Sequence, residues 1–253
     1  MHGAKFRRVI VNRPNLRIPF PHQFADRLRG SRVEAVQRRG KYLVVALSSG
    51  ETLIMHLGMS GWFHVAPIGD RTRDADPHDH VVFVMSSGKA VVFNDPRRFG
   101  FMDLAAVAGD YSSLKAMGPE PLSAEFTAAS LAWACRGKKV PIKVTLLDQR
   151  VVGGLGNIYA SEALHHARLS PVRSASVIAT AAGAPRKTAL QLAASIKAVL
   201  TNAIRKSESP YRAGRFRVYE REGQPCLRKG CGGEIKKITQ GARSTYYCPT
   251  CQK

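Results

Sequence analysis

The chain has 253 residues, enough to bury at least one full core, and its 44% hydrophobic and 23% charged content is that of an ordinary globular protein. Its charge is not ordinary: 39 Lys and Arg face 18 Asp and Glu, a net of +21 and a pI near 10.4, which points to a polyanionic partner. No stretch reaches the roughly 18 apolar residues of a spanning helix, and Met1 to Arg13 lacks an apolar signal-peptide core, so the expectation is a cytoplasmic protein with no membrane partner.

The first hundred residues read as strands. Phe6–Val11, Val33–Gln37, Tyr42–Leu47, Thr52–Met55, His80–Met85 and Ala90–Phe93 are short, rich in Val, Leu and Phe, and separated by turn signals such as Ser48-Ser49-Gly50 and Ser86-Ser87-Gly88. Even spacing of this kind predicts an antiparallel sandwich or barrel. Pro67 to His78, with three Asp and two Arg, reads as a mobile surface loop. Gly118-Pro119-Glu120-Pro121 is a linker, and Ser123 is placed to cap a helix running to Arg136. Pro141–Arg150 predicts a second helix with proline in its first turn, and Asn157–Ala167 a third. Pro185–Lys206 predicts a long amphipathic helix with Leu190, Leu192, Ile196, Val199 and Leu200 as its apolar side. The segments therefore divide as 1–113, 114–206 and 207–253, in an α+β chain: antiparallel β-sandwich, helical domain, cysteine-bearing β-hairpin.

Four of the five cysteines, Cys226, Cys231, Cys248 and Cys251, crowd the last 28 residues. The spacing is Cys-x4-Cys, sixteen residues, then Cys-x2-Cys. In a reducing compartment such clusters hold metal far more often than disulfides. Four thiolates satisfy tetrahedral Zn2+ and leave no place for a reacting water, so one zinc ion is expected and its role is structural. Glu234–Ile238 and Ser244–Tyr247 flank Gln240-Gly241, which predicts a hairpin between the knuckles. Residues 205–253 hold 12 basic against 4 acidic side chains, as a phosphate-facing element requires. Cys135, alone in an apolar run, reads as a small buried hydrophobe.

Two further constellations carry chemistry. Val151-Val152-Gly153-Gly154-Leu155-Gly156 leads into the helix at Asn157, and a helix N-terminus attracts phosphates, although glycine turns also serve plain loop closure. In the β-region, Lys41, His56, Met59, His78, Arg97, Arg98 and Phe99 punctuate the strands. Asp95-Pro96-Arg97-Arg98-Phe99-Gly100 is a turn that sets two guanidinium groups beside an aromatic ring, a combination suited to entering a base stack.

Taken together, Arg38-Arg39-Gly40-Lys41-Tyr42-Leu43, His56-Leu57-Gly58-Met59-Ser60-Gly61, His78-Asp79-His80, Asn94 to Gly100, Leu114 to Leu122, Val151 to Glu162 and the cysteine ribbon resemble the formamidopyrimidine-DNA glycosylase family. The resemblance implies a β-sandwich, a helix-two-turn-helix domain and a zinc finger, in a monomer that binds double-stranded DNA containing a damaged base in a bacterial, nucleoid-associated setting. It implies base-excision repair of oxidised purines (8-oxoguanine and formamidopyrimidines) by base flipping, Schiff-base formation and β,δ-elimination. By the same resemblance Lys41 assists β-elimination, and Met59, Arg97 and Phe99 fill the space left by the flipped nucleotide. His56, His78, Arg98, Lys138, Lys143 and Asn157 stand among the DNA-binding residues, and Arg243 grips phosphate and is linked to δ-elimination.

Two departures from the family pattern stand out. Family enzymes begin, after Met removal, with Pro-Glu-Leu-Pro-Glu, whose proline amine attacks the sugar C1′. This sequence begins Met1-His2-Gly3-Ala4-Lys5-Phe6, so impaired activity is expected of a polypeptide starting there, and apolar surface near Val9 and Leu43 is expected to lie bare. The stretch Lys206 to Arg215 is shorter than the family's glycine-rich loop over the flipped base. The competing expectations are a non-catalytic binder of damaged or distorted DNA and a zinc-ribbon RNA-binding protein.

Overall fold

The computed structural model describes residues 1–69, 76–205 and 216–253. The chain forms two compact units, Met1–Lys115 and Ala116–Lys253.

The first unit is an antiparallel β-sandwich of eight strands: β1 Phe6–Val11, β2 Val33–Arg39, β3 Tyr42–Leu47, β4 Thr52–His56, β5 Trp62–Pro67, β6 Asp79–Met85, β7 Lys89–Asn94 and β8 Phe101–Ala105. They form two four-stranded sheets, in the orders β1-β6-β7-β5 and β2-β3-β4-β8. The period-2 alternation of β6, with His80, Val81, Phe83 and Met85 buried, turns one face of each strand into a shared core. Phe6, Phe83, Phe93, Leu53, Met85 and Met102 are among its largest fully buried members. The Phe6 and Phe83 rings meet edge to face, 5.4 Å between centroids. A short helix, α1 Phe24–Leu28, adds Phe24 and Leu28 to the same core, and a single turn, α2 Ser112–Lys115, ends the unit.

Six strands match the sequence expectation to within two residues at each end, while β5, β8 and α1 were not anticipated. The reasons are physical. β5 is an edge strand, paired among the described residues with β7 alone, and its burial pattern carries no clean apolar face. β8 contains Asp103, and α1 is too short to show a helical period. Val9 is buried rather than bare, whereas Leu43 and exposed Val36 and Val65 line an apolar trough of about 530 Å³ together with Met1, Met55 and Val91. Of the loop expected from Pro67 to His78, Pro67 closes β5, and residues 70–75 lie outside the described residues.

Among the described residues the second unit holds four α-helices and a hairpin: α3 Ala128–Cys135, α4 Ile142–Leu147, α5 Asn157–His166, α6 Lys187–Arg205, β9 Lys236–Gln240 and β10 Arg243–Tyr247. The cap of α3 is Thr127, not Ser123: the Ser130 N–H donates to Thr127 Oγ1 (3.0 Å), and the Thr127 N–H donates to Ser130 Oγ (2.9 Å). Phe126, fully buried just before the cap, fixes that start. Helix α4 stops at Leu147, because Asp148 takes the Arg150 N–H and guanidinium in a turn instead. Along α6 the buried stripe is Ala189, Leu192, Ala193 and Ile196, so Leu190, about 100° around the helix, is exposed and does not belong to the apolar side. Cys135 is buried as expected.

The hairpin is tied to the helices by its C-terminal tail. Gln252, buried, accepts the Cys248 N–H at 2.8 Å and donates to Leu169 O at 2.9 Å, and the Lys253 N–H donates to Arg168 O. The described residues contain no helix long and apolar enough to cross a membrane.

Phe83→Ala is expected to destabilise the first unit by about 3–5 kcal/mol, through lost burial plus the cavity left behind. Urea unfolding followed by Trp62 fluorescence in a Trp133→Phe background reads that unit alone, since the chain has only these two tryptophans.

Candidate functional site

The first unit presents two loops that behave as one element. The loop Leu57 to Gly61 follows β4, and the loop Asp95 to Gly100 joins β7 to β8. Gly58 has φ +68°, and a Cβ placed there would lie 2.4 Å from the Phe99 carbonyl carbon, so only glycine lets the loops touch. Asp95 then locks them. Its fully buried carboxylate accepts Ser60 Oγ–H at 2.5 Å and the Gly100 N–H at 2.7 Å. Ser60 Oγ in turn accepts the Arg97 N–H at 3.2 Å, and the Arg98 N–H donates to Asp95 O.

On this base stand the side chains picked out in the sequence. Met59 is 68% exposed and Phe99 42%, large apolar groups held out in solvent by rigid backbone. The Arg97 guanidinium lies over the Phe99 ring, 4.6 Å from its centroid. Arg97 and Arg98 are exposed, and Arg98 takes a left-handed φ of 54°. His78 is exposed and joined to the same element by the Asp95 N–H, which donates to His78 O at 3.0 Å.

Lys41 sits in the turn between β2 and β3, exposed and close to His56. His56 is half-buried, stacked on Phe101 at 5.5 Å, and its Nδ1 accepts the Gly58 N–H at 3.0 Å. Burial first, then the charges of Lys41 and Arg17, push its pKa below the ordinary histidine value, which favours the neutral ring that this Nδ1 acceptor needs. His56 therefore braces the Gly58 backbone rather than standing out in solvent.

The second unit assembles another group. Lys143 on α4 is completely buried, and its ammonium donates to Asn157 Oδ1 at the start of α5 and to Ser244 O on β10. Asn157 Nδ2 donates to the same Ser244 oxygen at 3.0 Å. Arg243, exposed on β10, follows a two-residue hairpin turn in which Gly241 and Ala242 both have positive φ. Burial, then the Arg243 charge, lowers the Lys143 pKa to about 8. Among the described residues no carboxylate pairs with it. Lys138 lies in the turn after α3, half-buried, with its carbonyl held by Ser174 Oγ and the Ser176 N–H.

Cys226, Cys231, Cys248 and Cys251 bring their Sγ atoms within 4.8 Å of one another. Cys226 and Cys251 are 3.9 Å apart, and Cys231 and Cys248 3.6 Å. A tetrahedral ion with metal–sulfur bonds of about 2.3 Å sets its ligands about 3.8 Å apart, so the donor set fits a bound metal.

Several site residues escaped sequence reasoning. Asp95 and Ser60 are ordinary loop residues until the fold brings them together. Glu162, on α5, accepts the backbone N–H groups of Arg217, Val218 and Tyr219 at 2.9, 2.9 and 3.0 Å, fixing the chain where the described residues resume. His165 approaches Cys226, with Nε2 3.4 Å from Sγ. The stretch Lys206 to Arg215 lies outside the described residues.

A β-sandwich with a locked pair of apolar-tipped, arginine-bearing loops, a helical unit with a buried lysine, and a four-cysteine ribbon define the architecture of a zinc-finger DNA glycosylase. Residues 1–102 match the formamidopyrimidine-DNA glycosylase N-terminal domain, 117–213 the H2TH domain of the same enzymes, and 223–253 the zinc finger found in FPG and IleRS. The formamidopyrimidine-DNA glycosylase of Rhodopseudomonas palustris strain BisA53 is 50% identical over 276 aligned positions, covering 100% of this chain and 94% of that protein. That of Bradyrhizobium sp. strain BTAi1 is 49% identical with the same coverage. Among solved structures, Lactococcus lactis Fpg in complex with abasic-site DNA superimposes with a TM-score of 0.86 at 28% identity, over 100% of this chain and 94% of that one. MutM in complex with carbocyclic 8-oxo-G DNA gives 0.87 at 30% identity and the same coverage. The chain belongs to the formamidopyrimidine-DNA glycosylase family, a family of glycosylase and lyase enzymes.

Two measurements test the geometry. Asp95→Asn keeps the size of the side chain but removes one of two charged acceptors, at a cost of about 2 kcal/mol. The Gly100 amide is expected to exchange with solvent far faster in that variant, while amides of β1 and β6 keep their rates. For Lys143, the folded pKa near 8 lies below the ordinary value of 10.5, so the unfolded chain binds more protons between those two pH values. Stability gained by deprotonation is therefore absent below about pH 8 and grows as pH rises to about 10.5. Urea unfolding at a series of pH values is expected to show wild type gaining on Lys143→Met across that window.

Proposed function

We propose that this chain binds double-stranded DNA at a damaged base and acts on oxidised purines as a base-excision glycosylase and lyase. The observation that carries the reading is the locked loop pair of the first unit. A methionine and a phenylalanine held in solvent on immobile backbone, with a guanidinium stacked on the ring, suit insertion into a base stack beside phosphates. In this reading Met59, Arg97 and Phe99 occupy the space left by the flipped nucleotide, and His78 and Arg98 contact the backbone. His56 contributes by holding Gly58.

Lys143, Asn157 and Arg243 then grip phosphate, with Lys138 as a further basic contact. A buried ammonium beside a second cation is unfavourable until an anion arrives, which is how a phosphate site is kept selective for charge. Arg243 is the residue assigned to the later δ-elimination, and Lys41, beside His56, to β-elimination. The metal is one zinc ion with a structural role: four thiolates close its coordination shell, so no step of the reaction runs through it. The division into 1–113, 114–206 and 207–253, a monomeric state and a nucleoid-associated setting in a bacterial cytoplasm belong to the same proposal. The bacterial sources of the relatives named above support it.

Base removal coupled to strand cleavage through a Schiff base needs an amine nucleophile. Attack at C1′ expels the base, the resulting iminium accepts the electrons released when the C2′ proton leaves, and the 3′ phosphate departs. An α-amino group suits this, with an ordinary pKa of about 7.7–8.0. A polypeptide that starts at Met1 presents methionine there instead of the family's Pro-Glu.

Borohydride trapping tests the reading. A polypeptide whose N-terminal residue is Met1 is expected to give little or no covalent adduct on a duplex containing 8-oxoguanine, and weak trapping on an abasic duplex through Lys41 or the Met1 amine. The same chain extended with the family's opening segment, beginning Pro-Glu-Leu-Pro-Glu, is expected to trap both. Robust trapping of the 8-oxoguanine duplex by residues 1–253 would overturn the impairment. Binding without trapping by the extended chain would favour a non-catalytic reader of damage.

A further inference from the structure

We propose that His165 is an outer partner of the four-cysteine centre, and that through it the bound metal holds helix α5 in place. The proposal rests on the metal reading of the cysteines and adds to it a positioning residue on the neighbouring helix.

The argument begins with a proton. His165 is fully buried in the last turn of α5, and its Nε2 lies 3.4 Å from Cys226 Sγ. A neutral imidazole has one N–H and one bare nitrogen. Its Nδ1 is buried without a partner among the described residues. If the proton sat there, a donor would be buried unsatisfied and a lone pair would face sulfur. With the proton on Nε2, the N–H donates to the thiolate and only a bare acceptor is left over, the less costly arrangement.

Arg228 completes the link. Its backbone N–H lies near Cys226 and its guanidinium near Cys251. Its Nη2 donates to the carbonyl of His165. The C-terminal end of α5 is thus held twice, by the His165 ring on one cysteine and by the Arg228 guanidinium, which lies near another cysteine, on the helix carbonyl. A cation at that end also complements the helix dipole. A zinc ion with four thiolates carries two net negative charges, which N–H donors stabilise, whereas protonated thiols are poor acceptors. Metal loading therefore strengthens both contacts at once.

The other end of α5 is anchored to the same ribbon. Asn157, its first residue, donates to Ser244 O on β10 and accepts from Lys143. A ten-residue helix is rigid, so loosening its C-terminal end shifts the end that carries Asn157. The metal thus acts on the phosphate-gripping group through the length of one helix, without touching it.

The test uses the full chain loaded with Zn2+ or Co2+. His165→Phe removes the donor and keeps aromatic bulk, while His165→Gln keeps an N–H donor. Loss of a metal-site hydrogen-bond partner commonly costs on the order of tenfold or more in retention. His165→Phe is expected to release zinc to a chelator at least about tenfold faster, to shift the thiolate-to-cobalt charge-transfer band, and to lose hydrogen-exchange protection along α5. His165→Gln is expected to stay nearer wild type on all three. Nitrogen-15 spectra of the wild-type chain need no variant: the His165 proton is expected on Nε2. A proton on Nδ1, or a His165→Phe chain with wild-type release rate and unchanged band, overturns the proposal. A wild-type chain that binds no stoichiometric metal overturns the metal reading itself and the proposal with it.

Discussion

A buried ammonium with no carboxylate paired to it among the described residues is the constraint around which the second unit is arranged. Lys143 comes from α4, its acceptors come from α5 and β10, and its electrostatic neighbour Arg243 stands one residue from Ser244. Two neutral oxygens orient the charge without cancelling it, so the site keeps a positive potential that an anion relieves. Everything else in the unit serves to keep three elements at that meeting point. The core of α3, α4, α5 and α6 fixes the helices, and the four cysteines give the short hairpin a rigidity that its small cluster of Val218, Ile235 and Cys248 does not supply alone.

The first unit solves the opposite problem, holding apolar groups out in water. Met59 and Phe99 gain nothing from their exposure in the free protein, so their loops need some other source of order. It comes from Asp95, whose buried carboxylate satisfies two donors, and from the glycine that lets the loops touch. A charged acceptor is worth roughly twice a neutral one in such a place. Preorganised loops of this kind meet a duplex without first paying conformational entropy, which is the physical advantage of a rigid probe.

Local pattern made much of this legible. Alternating Val, Leu and Phe between Ser-Gly turns gave six strands, since burial on one face imposes a period of two. The cysteine spacing gave the metal-binding ribbon, because four ligands in two knuckles leave few other uses for thiols. The glycine before Met59 and the Asp-Pro-Arg-Arg-Phe turn marked the loops before their contact was known. Edge strand β5 and Asp-bearing β8 lacked a readable face, and Leu190 misled because apolar identity does not say which side of α6 is buried. What sequence could not show was long-range pairing. Asp95 with Ser60, Glu162 with residues 217–219, and His165 with Cys226 are separated by 35 or more positions, and only the folded chain makes them neighbours.

The central claim of the proposed function is that the apolar probes of the first unit recognise the damaged position, while the cation cluster of the second unit grips phosphate. Binding to a duplex carrying a stable abasic-site analogue, compared with the same undamaged duplex over a range of salt, tests it directly. Both affinities are predicted to fall as salt rises, since phosphate contacts release counterions, while the preference for the damaged duplex persists. Equal affinity for the two duplexes at every salt concentration would contradict the account and leave only a generally basic surface.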